Sequence, residues 1–255
     1  MLVIISGCSG VGKNTIINEI IDRYDGFELL PTYTTRAIRV NETEGYPYYF
    51  VSVEDFERMA GEDEFYEHQI VHGNYYGVSR KVLQSKMELQ KTLIKDVDVL
   101  GTQALVDQIR STIRVLTFFY FVDSKSTLVE RLKLRGEKNI ETRLERYDLE
   151  MQQAGSYDYI IDNIDMESTI LLTKSIIDFE AGNKLLRPLK SEANVDESKK
   201  RVIKEEMTRG VVFPPVDVVV EDGEVYIADG YHRYLAAVET GTQIAKNVLA
   251  PERAD

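Results

Sequence analysis

Residues 6–16 read SGCSGVGKNTI and follow the apolar run Leu2, Val3, Ile4 and Ile5. An apolar run, then glycines at 7, 10 and 12, then a lysine is the G-x-x-x-x-G-K pattern of a phosphate-binding loop set between a buried strand and a helix. The glycines let successive backbone N–H groups turn inward at the helix N-terminus, where they and the helix dipole attract phosphate oxygens. Gly7, Ser9, Gly10, Val11, Gly12, Lys13, Asn14 and Thr15 form the candidate nucleotide-binding set, with Lys13 as a point charge for β- and γ-phosphates. One position departs from the pattern. Asn14 stands where Ser or Thr normally reaches a magnesium ion, and the first hydroxyl belongs to Thr15.

Such a loop belongs to α/β architecture, and residues 1–183 alternate strand and helix patterns as βαβ units do. Leu2–Ile5, Thr92–Val97, Val115–Val122 and Ile160–Asp162 read as buried strands. Helices are expected over Lys13–Tyr24, Ser126–Arg135, Asn139–Gln153 and Met166–Glu180, the last ending near Gly182. Composition then shifts. NKLLRPLKSEANVDESKK is polar and reads as a linker into a helix over Asn194–Arg209, capped by Asn194 or Asp196 and closed by Gly210. Two β-rich segments flank Asp222-Gly223, a hairpin signal, and are followed by a helix over Tyr231–Glu239 and a strand over Ile244–Leu249. Two domains are therefore expected, 1–185 and 186–255, joined so loosely that the first should fold alone.

Composition narrows the partners. The net charge of −12 across 255 residues argues against a broad nucleic-acid surface. An acidic chain that binds phosphates must concentrate its arginines and lysines at the site. A single cysteine, Cys8, excludes an intramolecular disulfide and fits a reducing cytoplasm; it reads as a small loop residue. No run approaches the ~18–20 apolar residues of a membrane span.

Two further stretches, YTTRAIRVNETEGYPYYF (33–50) and EFYEHQIVHGNYYG (64–77), resemble the guanylate kinase family very closely. The likeness continues in IKDVDVLG (94–101), LVERLKLRG (128–136) and YDYIIDNID (157–165). It implies a P-loop kinase with a parallel sheet, a monophosphate-binding subdomain and a lid, transferring the γ-phosphoryl group of ATP to GMP or dGMP with Mg²⁺. Arg36, Arg39, Tyr48 and Tyr76 occupy the family's acceptor-phosphate positions, where guanidinium forks and phenols suit a dianion. Glu67 and Asp98 stand at its guanine-reading positions, as carboxylates must if they are to accept from N1–H and the 2-amino group; Thr32 stands where a hydroxyl meets O6. Arg131, Arg135 and Arg143 match the lid arginines that place positive charge on the moving phosphoryl group. Thr15 and Asp96 are the metal-side candidates. The sequence departs from the family at Asn14, at Tyr33 and Val78 near the base pocket, at Asn41-Glu42, and in a lid several residues short between Gly136 and Arg143.

FPPVDVVVEDGEVYIADGYHRYLAAVETG (213–241) resembles a second family, the ParB/sulfiredoxin-like fold, on the signature Asp229, Gly230, His232 and Arg233. A small α+β domain is implied, with a strand-to-helix turn offering N–H groups, His and Arg to a phosphate. Relatives of that fold bind nucleotides or DNA, so DNA is a second candidate partner through this segment, one the net charge does not favour. The run Lys199-Lys200-Arg201 with Lys204 reads as a solvated helix face. The leading expectation is a GMP or dGMP kinase. Two alternatives stand beside it: a kinase for a modified nucleotide or a hydroxymethylated base in DNA, and a non-catalytic nucleotide-binding module. Oligomeric state is not encoded in any motif.

Overall fold

The computed structural model of the chain describes residues 1–250 apart from 40, 41, 72, 123, 135, 137–139 and 190–194 and the side chains of 142 and 143. By its backbone contacts the chain divides into two compact units, Met1–Ser6 with Ile17–Leu116, and Gly7–Ile16 with Thr117–Asp255.

The first unit runs through β1 (Leu2–Gly7), α1 (Lys13–Arg23), β2 (Phe27–Leu29), β3 (Thr32–Thr34), β4 (Thr43–Glu44), β5 (Pro47–Phe50), α2 (Val53–Gly61), β6 (Phe65–Val71), β7 (Asn74–Ser79), α3 (Arg80–Met87), β8 (Thr92–Asp96) and α4 (Val99–Ile109). Strand β8 lies between β1 and β2, parallel to both. Unbroken apolar runs such as Leu2–Ile5 are what a strand covered on both faces requires. Five short strands form a separate mixed sheet in the order β4-β5-β3-β7-β6, with β6 and β7 as an antiparallel hairpin. An apolar cluster of Leu2, Ile4, Leu30, Val78, Leu93, Val97 and Leu105 holds β1 and β8 against α4. A smaller aromatic one, Phe56 and Phe65 with Tyr33 and Tyr75, supports the second sheet. Tyr33 packs 5.0 Å from Tyr49 and 5.9 Å from Phe65, and Val78 lies in the larger cluster, so these two departures from the family pattern serve core packing.

The second unit contains β9 (Val115–Phe121, from Thr117 on), α5 (Lys125–Leu134), α6 (Ile140–Gln152), a 3-10 turn (Ala154–Ser156), β10 (Tyr159–Asp162), α7 (Met166–Ala181), β11 (Arg187–Pro188), α8 (Glu197–Thr208), β12 (Val216–Glu221), β13 (Glu224–Asp229), α9 (Tyr231–Thr240) and β14 (Lys246–Val248). Its strand order is β9-β10-β14-β12-β13-β11. Strands β9, β10, β14 and β12 run parallel, and β13 returns antiparallel through the hairpin expected at Asp222-Gly223.

That order carries the sheet across the expected division near residue 185. Strand β14 pairs directly with β10, Tyr159 opposite Lys246 and Ile161 opposite Val248. Beside the ladder, Lys246 N–H donates to Asp158 O at 2.9 Å and Gln243 Nε2 donates to Ser156 O at 3.1 Å. The Lys246 ammonium lies 4.7 Å from the centre of the buried Tyr159 ring, and the Tyr159 hydroxyl donates to Glu180 of α7 at 2.7 Å. The segment after residue 185 therefore continues the sheet that β9 and β10 begin. Local composition around the linker carries no trace of a pairing between strands so far apart in sequence.

A chain truncated after residue 185 leaves the β14-facing edge of β10 unpaired and apolar neighbours uncovered. Loss of several buried side chains at ~1.5–3 kcal/mol each should lower its melting temperature by roughly 10 °C or more. Calorimetry on the truncated and full chains checks this. Equal melting temperatures would return residues 186–255 to the standing of a separable domain.

Candidate active site

The phosphate loop is shaped by close backbone packing in the second unit. Gly7, Gly10 and Gly12 all have positive φ, at +126°, +88° and +100°. Gly7 is the most constrained, because a Cβ there would sit 1.9 Å from Tyr120 O of β9. Beside it Cys8 N–H donates to the same oxygen at 3.1 Å, fixing where the loop leaves the sheet. Farther along, Asn163 Nδ2, just after β10, donates to Val11 O at 2.5 Å. Lys13 opens α1 and folds back, donating from Nζ to Gly7 O at 2.8 Å and Cys8 O at 3.2 Å. Asn14 and Thr15 are exposed on the first turn. Burial, with Glu150 adding, pushes the Cys8 thiol up to about 12, so it stays protonated and unreactive, as its reading as a loop residue expects.

Of the three expected lid arginines, Arg131 is described. Its Nη2 donates to Asn163 O at 3.0 Å and Ile164 O at 3.3 Å, and its buried Nη1 has no partner among the described residues. One face of the guanidinium is thus anchored beside the loop-holding asparagine while a donor stays available. Arg135 and the Arg143 side chain lie outside the described residues.

The acceptor-side residues gather in the first unit. Arg36 Nη2 donates to Glu42 Oε1 at 2.6 Å, and Glu42 Oε2 accepts from Arg39 N–H at 2.9 Å. Burial works against the Arg36 charge, but the Glu42 carboxylate outweighs it and holds the guanidinium firmly cationic. Arg36 lies 5.2 Å from the Tyr48 ring centre, and Tyr48 meets Tyr76 edge-on at 5.8 Å. Burial first, then Asp96, raises the Tyr48 phenol, which therefore remains a hydrogen-bond donor. One guanidinium and two phenols are thus collected by β5, β7 and the turn after β3. Arg39 is exposed, present through its backbone.

The carboxylates sit deeper. Glu67 on β6 is 8% exposed, and burial, reinforced by Asp98 and opposed by Lys95, raises its carboxyl to about 7. Asp98 caps α4, its Oδ1 accepting from Gly101 N–H at 2.8 Å. A Cβ on Gly101 would stand 2.5 Å from the mobile end of the Gln69 side chain, where β6 comes near the start of α4. Thr32 Oγ1 and Asp96 Oδ1 are buried without a partner among the described residues. Polar atoms of this kind are rare in folded cores, and each calls for an explanation, an absent ligand among them. Because the folded Glu67 binds its proton more tightly than the unfolded chain, it favours folding fully below about pH 4.5. That contribution is lost as pH rises toward 7.

Two residues of this region were not legible in advance: Glu42, which orders both arginines, and Lys95, a lysine buried in the middle of β8. The i to i+6 spacing of Arg36 and Glu42 within a charged loop gives a weak signal, and Lys95 gives none.

Comparison with known proteins decides the family. The Guanylate kinase family model matches residues 1–180. The chain belongs to the guanylate kinase family. It is 33% identical over 183 residues to a guanylate kinase of Agrobacterium fabrum, spanning 71% of this chain and 82% of the relative. It is 35% identical over 180 residues to that of Shewanella denitrificans, spanning 69% and 86%. The solved guanylate kinase from Anaplasma phagocytophilum is similar with a TM-score of 0.56 at 26% identity, covering 84% of this chain and 96% of that one.

The residues on which the ParB/sulfiredoxin-like resemblance rests hold their own turn together. Arg233 donates to Pro214 O and Pro215 O at 2.9 and 2.8 Å and pairs with Asp229 at 2.9 Å. His232 Nε2 accepts from Asp196 N–H at 2.9 Å, at the start of α8. Lys200 and Lys204 pair with Glu239 of α9, so half of the basic run is neutralised within the chain.

Lys13→Ala removes only two loop hydrogen bonds, so the melting temperature should stay within a few degrees while kinase turnover falls on the order of 10²–10³. A coupled assay beside calorimetry tests both. Near wild-type turnover would remove Lys13 from the chemistry.

Proposed function

We infer that the protein is an ATP-dependent nucleoside monophosphate kinase that transfers the γ-phosphoryl group to GMP or dGMP. The observation that carries this reading is the carboxylate pair Glu67 and Asp98, with Glu67 nearly buried and close enough to Asp98 to feel its charge, in a unit that also holds the buried, unsatisfied Thr32 hydroxyl. Guanine offers N1–H and an amino group to carboxylates and an oxygen to donors, and the other common bases do not.

On this reading the loop N–H groups and Lys13 hold the triphosphate, and Arg36, Tyr48 and Tyr76 hold the acceptor phosphate. Arg131, which keeps a free donor, shifts from backbone carbonyls to the phosphoryl group. Charge stabilisation and positioning are what phosphoryl transfer needs from a protein. Asp96, with its unpartnered carboxylate oxygen, and the exposed Thr15 hydroxyl are each a hard oxygen donor of the kind that suits Mg²⁺. The ion, carried with the triphosphate, would neutralise phosphate charge. For residues 186–255 we keep the ParB/sulfiredoxin-like reading as a proposal, supported by the hairpin, the left-handed Gly230 and the helix that follows. We assign the segment the role of a sheet extension, since Arg233 and His232 are spent on backbone contacts.

Reading guanine takes the ionised form of Glu67. The value of kcat/KM for GMP should therefore fall about tenfold per pH unit below about pH 7. Glu67→Gln should flatten that limb and erode preference for GMP over AMP by roughly 10–100-fold. Steady-state kinetics over pH with GMP, dGMP, AMP, UMP and CMP test it, and a preference for a pyrimidine nucleotide would overturn the reading.

A further inference from the structure

Lys95 is the least expected side chain in the first unit. It lies in β8 on the face shared by Leu93 and Val97, both members of the apolar cluster, and it is 5% exposed. Strand alternation there calls for an apolar residue. A buried ammonium costs several kcal/mol unless it is paired. Among the described residues Lys95 enters no ion pair; its ammonium stands 5.7 Å from the centre of the Tyr48 ring. Asp96 and Glu67 are the charges that act on it, and Lys95 in turn acts on Glu67. The cation therefore sits among the pocket carboxylates without being consumed by either of them.

We propose that Lys95 is a base-selecting residue of the acceptor pocket, donating to the 6-carbonyl oxygen of a 6-oxopurine while Glu67 and Asp98 accept from its ring N–H and amino groups. This rests on the guanine reading above and adds to it a charged donor that no motif of the sequence announces. Two features point to the ligand. Glu67 and Asp98 accept but cannot donate in their ionised forms, so they leave a carbonyl oxygen unmet. Lys95 can only donate, and its ammonium stands 5.7 Å from the ring centre of Tyr48, the residue paired across the sheet with Thr32. Thr32 Oγ1, buried and unsatisfied, can share the same oxygen. A 6-amino group in that place would turn N–H bonds toward an ammonium, so adenine is refused by repulsion as well as by missing acceptors.

The test compares GMP with 6-thio-GMP, which keeps both donors for the carboxylates and weakens only the acceptor at position 6. In the wild type kcat/KM should favour GMP. In Lys95→Met, which keeps the buried stem, GMP should lose roughly 10–100-fold, the worth of a charged hydrogen bond, while 6-thio-GMP changes by less than about threefold. Lys95→Gln, an uncharged donor of similar reach, should recover part of the discrimination and serves if the Met variant folds poorly. The melting temperature of Lys95→Met should equal or exceed that of the wild type, because an unpaired buried charge has been removed. Equal losses for both nucleotides, or no loss for GMP, would overturn the assignment while leaving the guanine reading intact. If the wild type turned over no guanine nucleotide, that reading itself would fail.

Discussion

The chemistry of this chain hangs on one close approach, the backbone of Gly7 against the backbone of Tyr120. No side chain fits between them, since even a Cβ would stand 1.9 Å from the Tyr120 oxygen. Glycine at that point lets the chain leave β1 and turn at once, and the bond from Cys8 N–H to Tyr120 O fixes the direction of the turn. Asn163 then pins the far side through Val11 O. A loop held at both shoulders presents its N–H groups in a fixed array, and preorganisation of that kind lets dipoles act on phosphate without first reorienting.

The residues proposed to hold the acceptor follow a different logic. Their charges are sheltered and mutually adjusted: Glu67 is raised to about 7, Lys95 is lowered to about 8 by burial, and Arg36 is kept cationic by Glu42. Each group is unfavourable alone in a low-dielectric setting; Arg36 and Glu42 offset this by pairing, whereas Lys95 enters no ion pair among the described residues. Unsatisfied atoms at Thr32 and Asp96 remain, and they are what a ligand would repay. Natural folds accept such local cost where function requires it.

What was legible in the sequence was local. Gly7, Gly10, Gly12 and Lys13 identify the loop because backbone geometry and phosphate charge leave few other residue choices. The helices that were expected fall within a few residues of their observed bounds because their apolar spacing and caps are written nearby, and Asp196 does cap α8, whereas α2, α3 and α4 were not anticipated. Pairings between distant segments were hidden. Nothing around residue 185 tells that Lys246 and Val248 lie beside Tyr159 and Ile161, because hydrogen bonding between strand backbones leaves no residue-specific mark. Lys95 was hidden for the opposite reason, since its residue type argues for exposure and only its neighbours bury it. Arg36, Tyr48, Glu67, Tyr76 and Asp98 were found through family resemblance, and the fold brings them together in one unit.

The most direct measurement supplies ATP labelled in the γ-phosphoryl group, Mg²⁺ and GMP to the full-length chain and follows the label. Recovery of the label in GDP, one for each ATP consumed and dependent on Mg²⁺, is the predicted result. ATP consumption with the label released as inorganic phosphate, or no label in GDP at any GMP concentration, would contradict the account.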